Sequence, residues 1–280
     1  MSNPNKKKIY IYTNGTDISL DMRSKFVKIL KDADFEVLYN EKSRNELAHE
    51  ADLIACIGGD GTFLHFLHDC NFPSCPIIGI NTGHLGFFQE LKANDKDIKK
   101  FLDSYYKNTY MTQIIPVLET DVVMKSGQKQ SIYTLNEMMV RGPLTNLTHF
   151  EVSINDTVIQ NFSGDGILVS TEVGSTAYNY SLGGSIVAPG LGVLQLTPVA
   201  PASTNAYRSY HSSIILPIEG KVKLSTVHRT SNEPIYLTYD GLESIFDEVS
   251  YIELKKSSKE ISLIRFKEYD YWSKLRDKLI

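Results

Sequence analysis

Along the first part of the chain, short apolar runs alternate with stretches whose apolar residues recur at three- and four-residue intervals. The first spacing predicts buried strands and the second amphipathic helices. Strands are expected over residues 8–13, 35–39, 53–57 and 75–80. Helices are expected from Asp17 or Ser19 to about Lys31 (inner face Leu20, Phe26, Val27 and Leu30), over 43–49, from about Phe63 to about Asp69, and over 95–106. Strand–helix alternation of this kind is the signature of a mainly parallel sheet covered by helices. From about Tyr110 the rhythm changes to short β-rich runs: 112–117, 119–125, 131–140, 149–154, 157–162 and 166–170. After an interruption it resumes at 194–199, 212–216, 221–226, 234–238, 250–254 and 261–266. Turn signals such as Ser126-Gly127 and Asn155-Asp156 separate these runs. The expectation is a Rossmann-like α/β domain over 1–108 and a larger antiparallel β-sandwich domain over 109–266. A tail over 267–280, with Tyr271, Trp272 and Leu275 on one face, returns as a helix to the first domain.

One stretch of the first part carries chemistry. The apolar run Leu53 to Ile57 ends in Gly58-Gly59-Asp60-Gly61-Thr62, and Phe63-Leu64-His65-Phe66-Leu67 reads as a helix start. A strand, a glycine turn and a helix N-terminus present backbone N–H groups and a positive dipole end to an anion. Asp60 is the unusual member: a carboxylate beside bound phosphate repels it unless a metal or a substrate hydroxyl intervenes, which points to a base or a magnesium-linked group. The spacing matches neither Gly-x4-Gly-Lys-Ser/Thr nor Gly-x-Gly-x-x-Gly. An ordinary turn in which Asp60 caps the helix fits the same five residues. Asn81-Thr82-Gly83-His84-Leu85-Gly86-Phe87 follows the next strand. In open parallel sheets ligands lie beyond the strands' carboxyl ends, so this segment and the Asp60 turn are expected to face one crevice.

A second block interrupts the β pattern: Ser163-Gly164-Asp165-Gly166, then Ser170-Thr171-Glu172-Val173-Gly174-Ser175-Thr176-Ala177-Tyr178-Asn179-Tyr180-Ser181-Leu182-Gly183-Gly184. Gly174 to Tyr178 reads as a turn opening a helix capped by Ser175 or Thr176, a second N-terminus able to receive an anion or a ribose hydroxyl. Tyr178 offers an aromatic face and a hydroxyl together, suited to a nucleobase or pyridine ring. Leu135-Asn136-Glu137-Met138 places an amide and a carboxylate in an apolar strand, where one of the two must point inward and find a partner. Tyr239-Asp240-Gly241 ends a strand in a turn signal.

Composition narrows the class. In 280 residues the net charge is −4, against a protein whose main partner is nucleic acid. The basic run Lys6-Lys7-Lys8 reads as a solvated strand entrance. No apolar run approaches the roughly 18 residues that span a bilayer, and Met1 to Asn5 lacks a signal-peptide core. Three cysteines, Cys56, Cys70 and Cys75, suit free thiols in a reducing cytoplasm, and with His65 and His68 they match no zinc spacing.

Taken together, Gly58-Gly59-Asp60-Gly61-Thr62, Asn81 to Phe87, Asn136-Glu137, Gly164-Asp165-Gly166, Gly174-Ser175-Thr176-Ala177-Tyr178 and Ser181 with Gly183-Gly184 resemble the bacterial NAD kinases, particularly the Gram-positive type, across nearly the whole chain. The first loop alone also resembles those of diacylglycerol and sphingosine kinases; the Asn-Glu pair together with Gly-Ser-Thr-Ala-Tyr is specific. The resemblance implies transfer of the γ-phosphoryl of ATP to the 2′-hydroxyl of the adenosine ribose of NAD, with Asp60 as the base and Gly61 lining the same pocket. Asn136 and Glu137 match residues that hold a ribose, and Asp165, after Ser163, one that meets the nicotinamide end. Val173, Thr176, Ala177, Tyr178, Asn179, Tyr180 and Ser181 match the part that wraps the nucleotide, Ala200 another wall, and Asp240 with Gly241 a further contact. The resemblance implies ATP-bound Mg²⁺, a homotetramer with shared sites, and a cytoplasmic enzyme with no nucleic-acid or membrane partner. Two positions depart from the family: Ser163 replaces an Arg or Lys, and Glu172 follows Ser170-Thr171 where Pro is common, an acid that either weakens dinucleotide binding or points to solvent. The rivals are a lipid kinase of the diacylglycerol type and a non-catalytic dinucleotide sensor.

Overall fold

The computed structural model describes residues 6–33, 35–38, 43–203, 208–227 and 233–279; the expected strand end Tyr39 lies outside them. The chain forms two compact units, Met1–Ile115 with Lys259–Ile280, and Pro116–Ser258.

In the first unit the order is β1 (Lys8–Thr13), α1 (Asp17–Asp32), β2 (Glu36–Leu38), α2 (Arg44–Glu50), β3 (Leu53–Ile57), α3 (Asp60–Asp69), β4 (Ile77–Asn81), β5 (Leu91–Lys92) and α4 (Asp95–Tyr106). Strands β2, β1, β3 and β4 lie side by side in parallel, and β5 pairs with the end of β4. All five residues of β3 are buried, as expected of a strand covered on both faces. Ser43 and Glu46 close a capping box at the start of α2, and the Asn94 side chain accepts from the Asp97 N–H to open α4. Helix α1 corrects its expected face. Thr16 is its N-cap, and Ser19, Met22, Phe26 and Leu30 form the buried stripe, three or four residues apart. Leu20 falls one position off that stripe and is 41% exposed.

The second unit holds most of β6 (Met111–Met124), then β7 (Lys129–Thr134), β8 (Glu137–Arg141), β9 (Thr148–Ile154), β10 (Thr157–Gly164) and β11 (Gly166–Thr171). A 3₁₀ turn over Val173–Thr176 and the one-turn helix α5 (Tyr178–Ser181) follow. Then come β12 (Val193–Val199), β13 (Ile214–Pro217), β14 (Val222–Thr226), β15 (Ile235–Tyr239) and β16 (Leu242–Phe246). The long β17 (Val249–Arg265) runs from this unit into the first, where Leu263 pairs in parallel with Ile77 of β4. One antiparallel sheet has the order β13-β12-β11-β8-β15-β16; the other carries β10, β9, β14 and β17, with β6 pairing β17 and β7. Met138, Val140, Ile167, Val169 and Leu196 from the first pack with Phe150, Val152, Phe162, Val222 and Leu254 from the second, which is the expected sandwich core.

The expected single strand over 131–140 is broken at Leu135-Asn136, so the amide and carboxylate are not both in mid-strand. The runs expected at 250–254 and 261–266 are one strand, β17, which continues through the polar stretch between them. The tail forms α6 (Tyr271–Leu279), which buries Leu275 but leaves Trp272 60% exposed, against the expected shared face. No helix among the described residues is long and apolar enough to cross a membrane.

Candidate active site

In the first unit, α3 begins at Asp60 with Gly59 as an N-cap that offers no side-chain acceptor. A Cβ at Gly59 or Gly61 would meet no protein atom within 4 Å. Nothing in the fold's own packing therefore demands glycine there, and the two glycines leave the helix N-terminus without side-chain cover. Asp60 does not cap its helix. Its Oδ2 accepts from the Phe87 N–H and its Oδ1 from the Phe88 N–H, each at 3.1 Å. The Asp60 turn and the 81–87 segment thus meet. Gly86 makes the meeting possible: a Cβ there would stand 1.9 Å from Gln89 Oε1 and 2.4 Å from Asp60 Oδ1.

A second layer holds the peptides that hold Asp60. Arg265, 3% exposed, donates through Nη2 to the Phe87 carbonyl (2.8 Å) and through Nη1 to the Phe88 carbonyl (3.4 Å) and to Glu90 (3.2 Å). Its Nε donates to Gln113, and the Phe266 N–H donates to Glu90. Burial pulls the Arg265 guanidinium below its ordinary value while Tyr269 and Glu90 hold it up. The Phe88 ring stacks on Phe63 of α3 at 4.8 Å. From α6, Lys278 Nζ reaches Asp60 Oδ2 and lies over the Phe87 ring, and Lys274 donates to the Gln89 carbonyl. Burial pushes Lys274 down to about 8, with Arg265 adding to the fall. Sequence reasoning missed Arg265, Gln89, Glu90, Lys274 and Lys278. Only Arg265 left a trace, as an arginine inside the apolar run Leu263-Ile264-Arg265-Phe266.

In the second unit the expected residues fall into two groups at opposite ends of β8. At its start the Leu135-Asn136 bend is clamped from both sides. Asp240 accepts from the Leu135 N–H (2.7 Å) and the Asn136 N–H (2.8 Å). Thr171 donates its hydroxyl to the Leu135 carbonyl (2.7 Å) and its N–H to the Asn136 carbonyl (2.9 Å). A Cβ at Gly174 would stand 2.0 Å from the Asn136 oxygen, so only glycine lets the next turn pack there. Asp240, 4% exposed, is therefore a buried clamp, and with Gly241 it makes a left-handed corner (φ +46° and +83°). Glu137 is 8% exposed, and its Oε2 finds no partner among the described residues. Burial, and then the charge of Asp240, push its carboxyl up to about 8 against one hydrogen bond from the Tyr178 N–H.

Beside this bend stand Val173, Thr176, Ala177 and the exposed Tyr178, Tyr180 and Ser181. The expected helix cap is corrected: the N-cap of α5 is Ala177, with no side-chain bond, and the Ser175 hydroxyl instead accepts from the Val187 N–H. At four residues α5 is too short to present a useful dipole, so the anion role expected of it is withdrawn. Asn179 is fully buried, its amide bonded to Thr197, Ser175 and Ser185. Glu172 does not point to solvent; it is buried and accepts from the Gly190 and Gly192 N–H groups at 2.8 Å.

The second group lies at the Arg141 end, four strand residues from Glu137, or about 14 Å. Here the Ser163 hydroxyl is bonded to His149 Nδ1 and its backbone to Ser209. Asp165 has an exposed side chain and an N–H bonded to the Val199 carbonyl, and Ala200 sits in the left-handed region (φ +41°). A cavity of about 380 Å³ opens at this end, lined by residues including Gly142, Thr148, His149 and Glu233.

Models of the ATP-NAD kinase N-terminal domain and the ATP-NAD kinase C-terminal domain match residues 19–110 and 135–266. An NAD kinase of Finegoldia magna is 34% identical over 280 residues, covering 99% of this chain and 100% of that protein. One from Geobacillus stearothermophilus is 30% identical, covering 96% of this chain and 95% of that one. Among solved structures, a yeast NADH kinase complexed with NADH superposes with a TM-score of 0.83 at 21% identity, over 97% of this chain and 86% of that one, and shares the fold. These matches lend no support to the lipid-kinase or sensor readings.

Proposed function

The chain belongs to the ATP–NAD kinase family, and from that premise we propose that it transfers the γ-phosphoryl of ATP to the 2′-hydroxyl of the adenosine ribose of NAD, giving NADP. The observation that carries the reading is the Asp60 carboxylate, held by two backbone N–H groups at a helix N-terminus left bare by Gly59 and Gly61. Phosphoryl transfer asks the protein mainly to position the reactants and stabilise charge. Asp60 accepts the hydroxyl proton as general base, and Gly61 keeps the approach open. Asn136 and Glu137 hold a ribose: at neutral pH Glu137 keeps its proton, and its unpartnered oxygen is free to bond a hydroxyl. Val173, Thr176, Ala177, Tyr178, Tyr180 and Ser181 wrap the nucleotide, Tyr178 with its exposed ring. Asn179, Asp240 and Gly241 serve by shaping that wall. Ser163, Asp165 and Ala200, grouped toward the Arg141 end of β8, serve the nicotinamide end of a site shared with a neighbouring copy in a homotetramer. Light scattering of the purified protein tests that assembly.

Among the described residues no three His, Cys, Asp or Glu side chains gather as a metal cage. Asp60 offers a carboxylate, a hard oxygen donor of the kind that suits Mg²⁺ arriving on the nucleotide. When bound, the metal neutralises phosphate charge beside Asp60. We place the enzyme in the cytoplasm, on its free thiols.

The test is an assay with NAD, ATP and Mg²⁺, detecting NADP through a dehydrogenase that ignores NAD. The wild type is expected to form NADP, and Asp60→Asn to lose roughly 10²–10⁴-fold in kcat while NAD still raises its melting temperature. Equal loss of binding and rate would remove Asp60 from the base role, and no NADP from the wild type would overturn the activity.

A further inference from the structure

Between Arg44 and Lys92 the sequence contains no lysine or arginine. The loops that surround Asp60 therefore bring no fixed positive charge of their own to a reaction that moves a phosphoryl group. In phosphoryl transfer negative charge is spread over the equatorial oxygens, and a cation beside them contributes strongly to rate. The cations that do reach Asp60 come from the far end of the chain. Arg265 is buried and committed to the Phe87 and Phe88 carbonyls and to Glu90. Lys274 is directed to the Gln89 carbonyl. Lys278 differs: its side chain is 29% exposed, and its ammonium lies over the Phe87 ring and contacts Asp60 Oδ2.

We propose that Lys278, carried by α6, is the cation that contacts the transferred phosphoryl group, resting in the nucleotide-free enzyme on Asp60. The inference rests on the kinase reading above. Asp60 Oδ2 already accepts from the Phe87 N–H, so the Lys278 contact occupies the remaining approach that a ribose hydroxyl needs. A γ-phosphate carries more negative charge than one carboxylate and draws the ammonium across, which opens Oδ2 to the hydroxyl. In the step itself the ribose oxygen forms its bond to the γ-phosphorus. The bond from that phosphorus to the β–γ bridging oxygen breaks, and its electron pair leaves with ADP. The hydroxyl proton passes to Asp60, and Lys278 exchanges no atom.

The experiment compares steady-state kinetics of the wild type, Lys278→Met and Lys278→Arg, with circular dichroism on each. Lys278→Met is expected to lower kcat about 100-fold and to raise the KM for ATP several-fold, leaving the KM for NAD within about twofold. Lys278→Arg is expected to recover at least a tenth of the wild-type kcat. An unchanged or faster kcat in Lys278→Met would overturn the proposal, leaving the contact a spectator or a brake on Asp60. A parallel loss in both KM values with a lowered melting temperature and no recovery in Lys278→Arg would also overturn it, since that pattern belongs to an anchor for α6. If the wild type itself makes no NADP, the kinase reading fails; if it does and Lys278→Met matches it, only this inference fails.

Discussion

The stability advantage of Glu137→Gln over the wild type is expected to grow as the pH rises. Glu137 sits at the start of β8 with one oxygen bonded by the Tyr178 N–H and the other unpartnered, and the buried carboxylate of Asp240 stands near it. Burial and that charge raise its carboxyl from an ordinary 4.5 to about 8. Below pH 4.5 both the native and the unfolded chain hold the proton, and the group costs nothing. Between 4.5 and about 8 the unfolded chain releases the proton and the native chain keeps it, so stability falls as pH rises; above about 8 the loss is complete. At about 1.4 kcal/mol per unit, that gap corresponds to a ceiling of about 5 kcal/mol. Glutamine keeps the size of the protonated acid and removes the titration. Urea unfolding of wild type and variant at pH 5, 7 and 9 reads the effect. The variant is expected to match the wild type near pH 5 and exceed it by up to about 5 kcal/mol at pH 9. A difference that stays constant with pH, or that favours the wild type more as pH rises, would refute the placement of Glu137 as a buried, proton-retaining acid.

Three further outcomes follow from close contacts. Gly86→Ala sets a methyl against Asp60 Oδ1 and Gln89 Oε1, both side-chain atoms able to give way; the fold is expected to survive by circular dichroism while kcat falls roughly 10–100-fold through displacement of Asp60. Gly174→Ala sets a methyl 2.0 Å from the Asn136 carbonyl, which is backbone and pinned by Thr171; a loss of about 1–3 kcal/mol in urea unfolding and weaker NAD binding by calorimetry are expected. Glu172→Gln turns an amide NH₂ toward the Gly190 or Gly192 N–H and is expected to cost about 1–3 kcal/mol, measured by urea unfolding.

The order of strands and helices was largely readable from the sequence, although the inner face of α1 and the cap of α5 were not. Period-two and three-to-four spacings separated the sandwich strands from the helices of the α/β unit, because side-chain direction repeats with backbone geometry. The glycine turn at the end of β3 was read directly, being set within a few residues; the capping box of α2 and the Asn94 cap are equally local, but only the helices they open were expected. Even there the pattern located the Asp60 turn without saying what the carboxylate would bond, since Phe87 and Phe88 could be brought to it only by the next strand. Asn136 shows the limit more sharply. An apolar run read as one strand is broken because Asp240 and Thr171, far away in the chain, take the N–H and carbonyl groups of the bend. Glu172 and Ser163 looked like departures from a binding surface, and folding commits them to backbone N–H groups and to His149. The cations around Asp60 come from β17 and α6, some 200 positions later. A charged or polar side chain is satisfied by whatever folding brings within about 3 Å; a one-dimensional pattern carries burial and direction, and tertiary structure alone decides which partner each group meets.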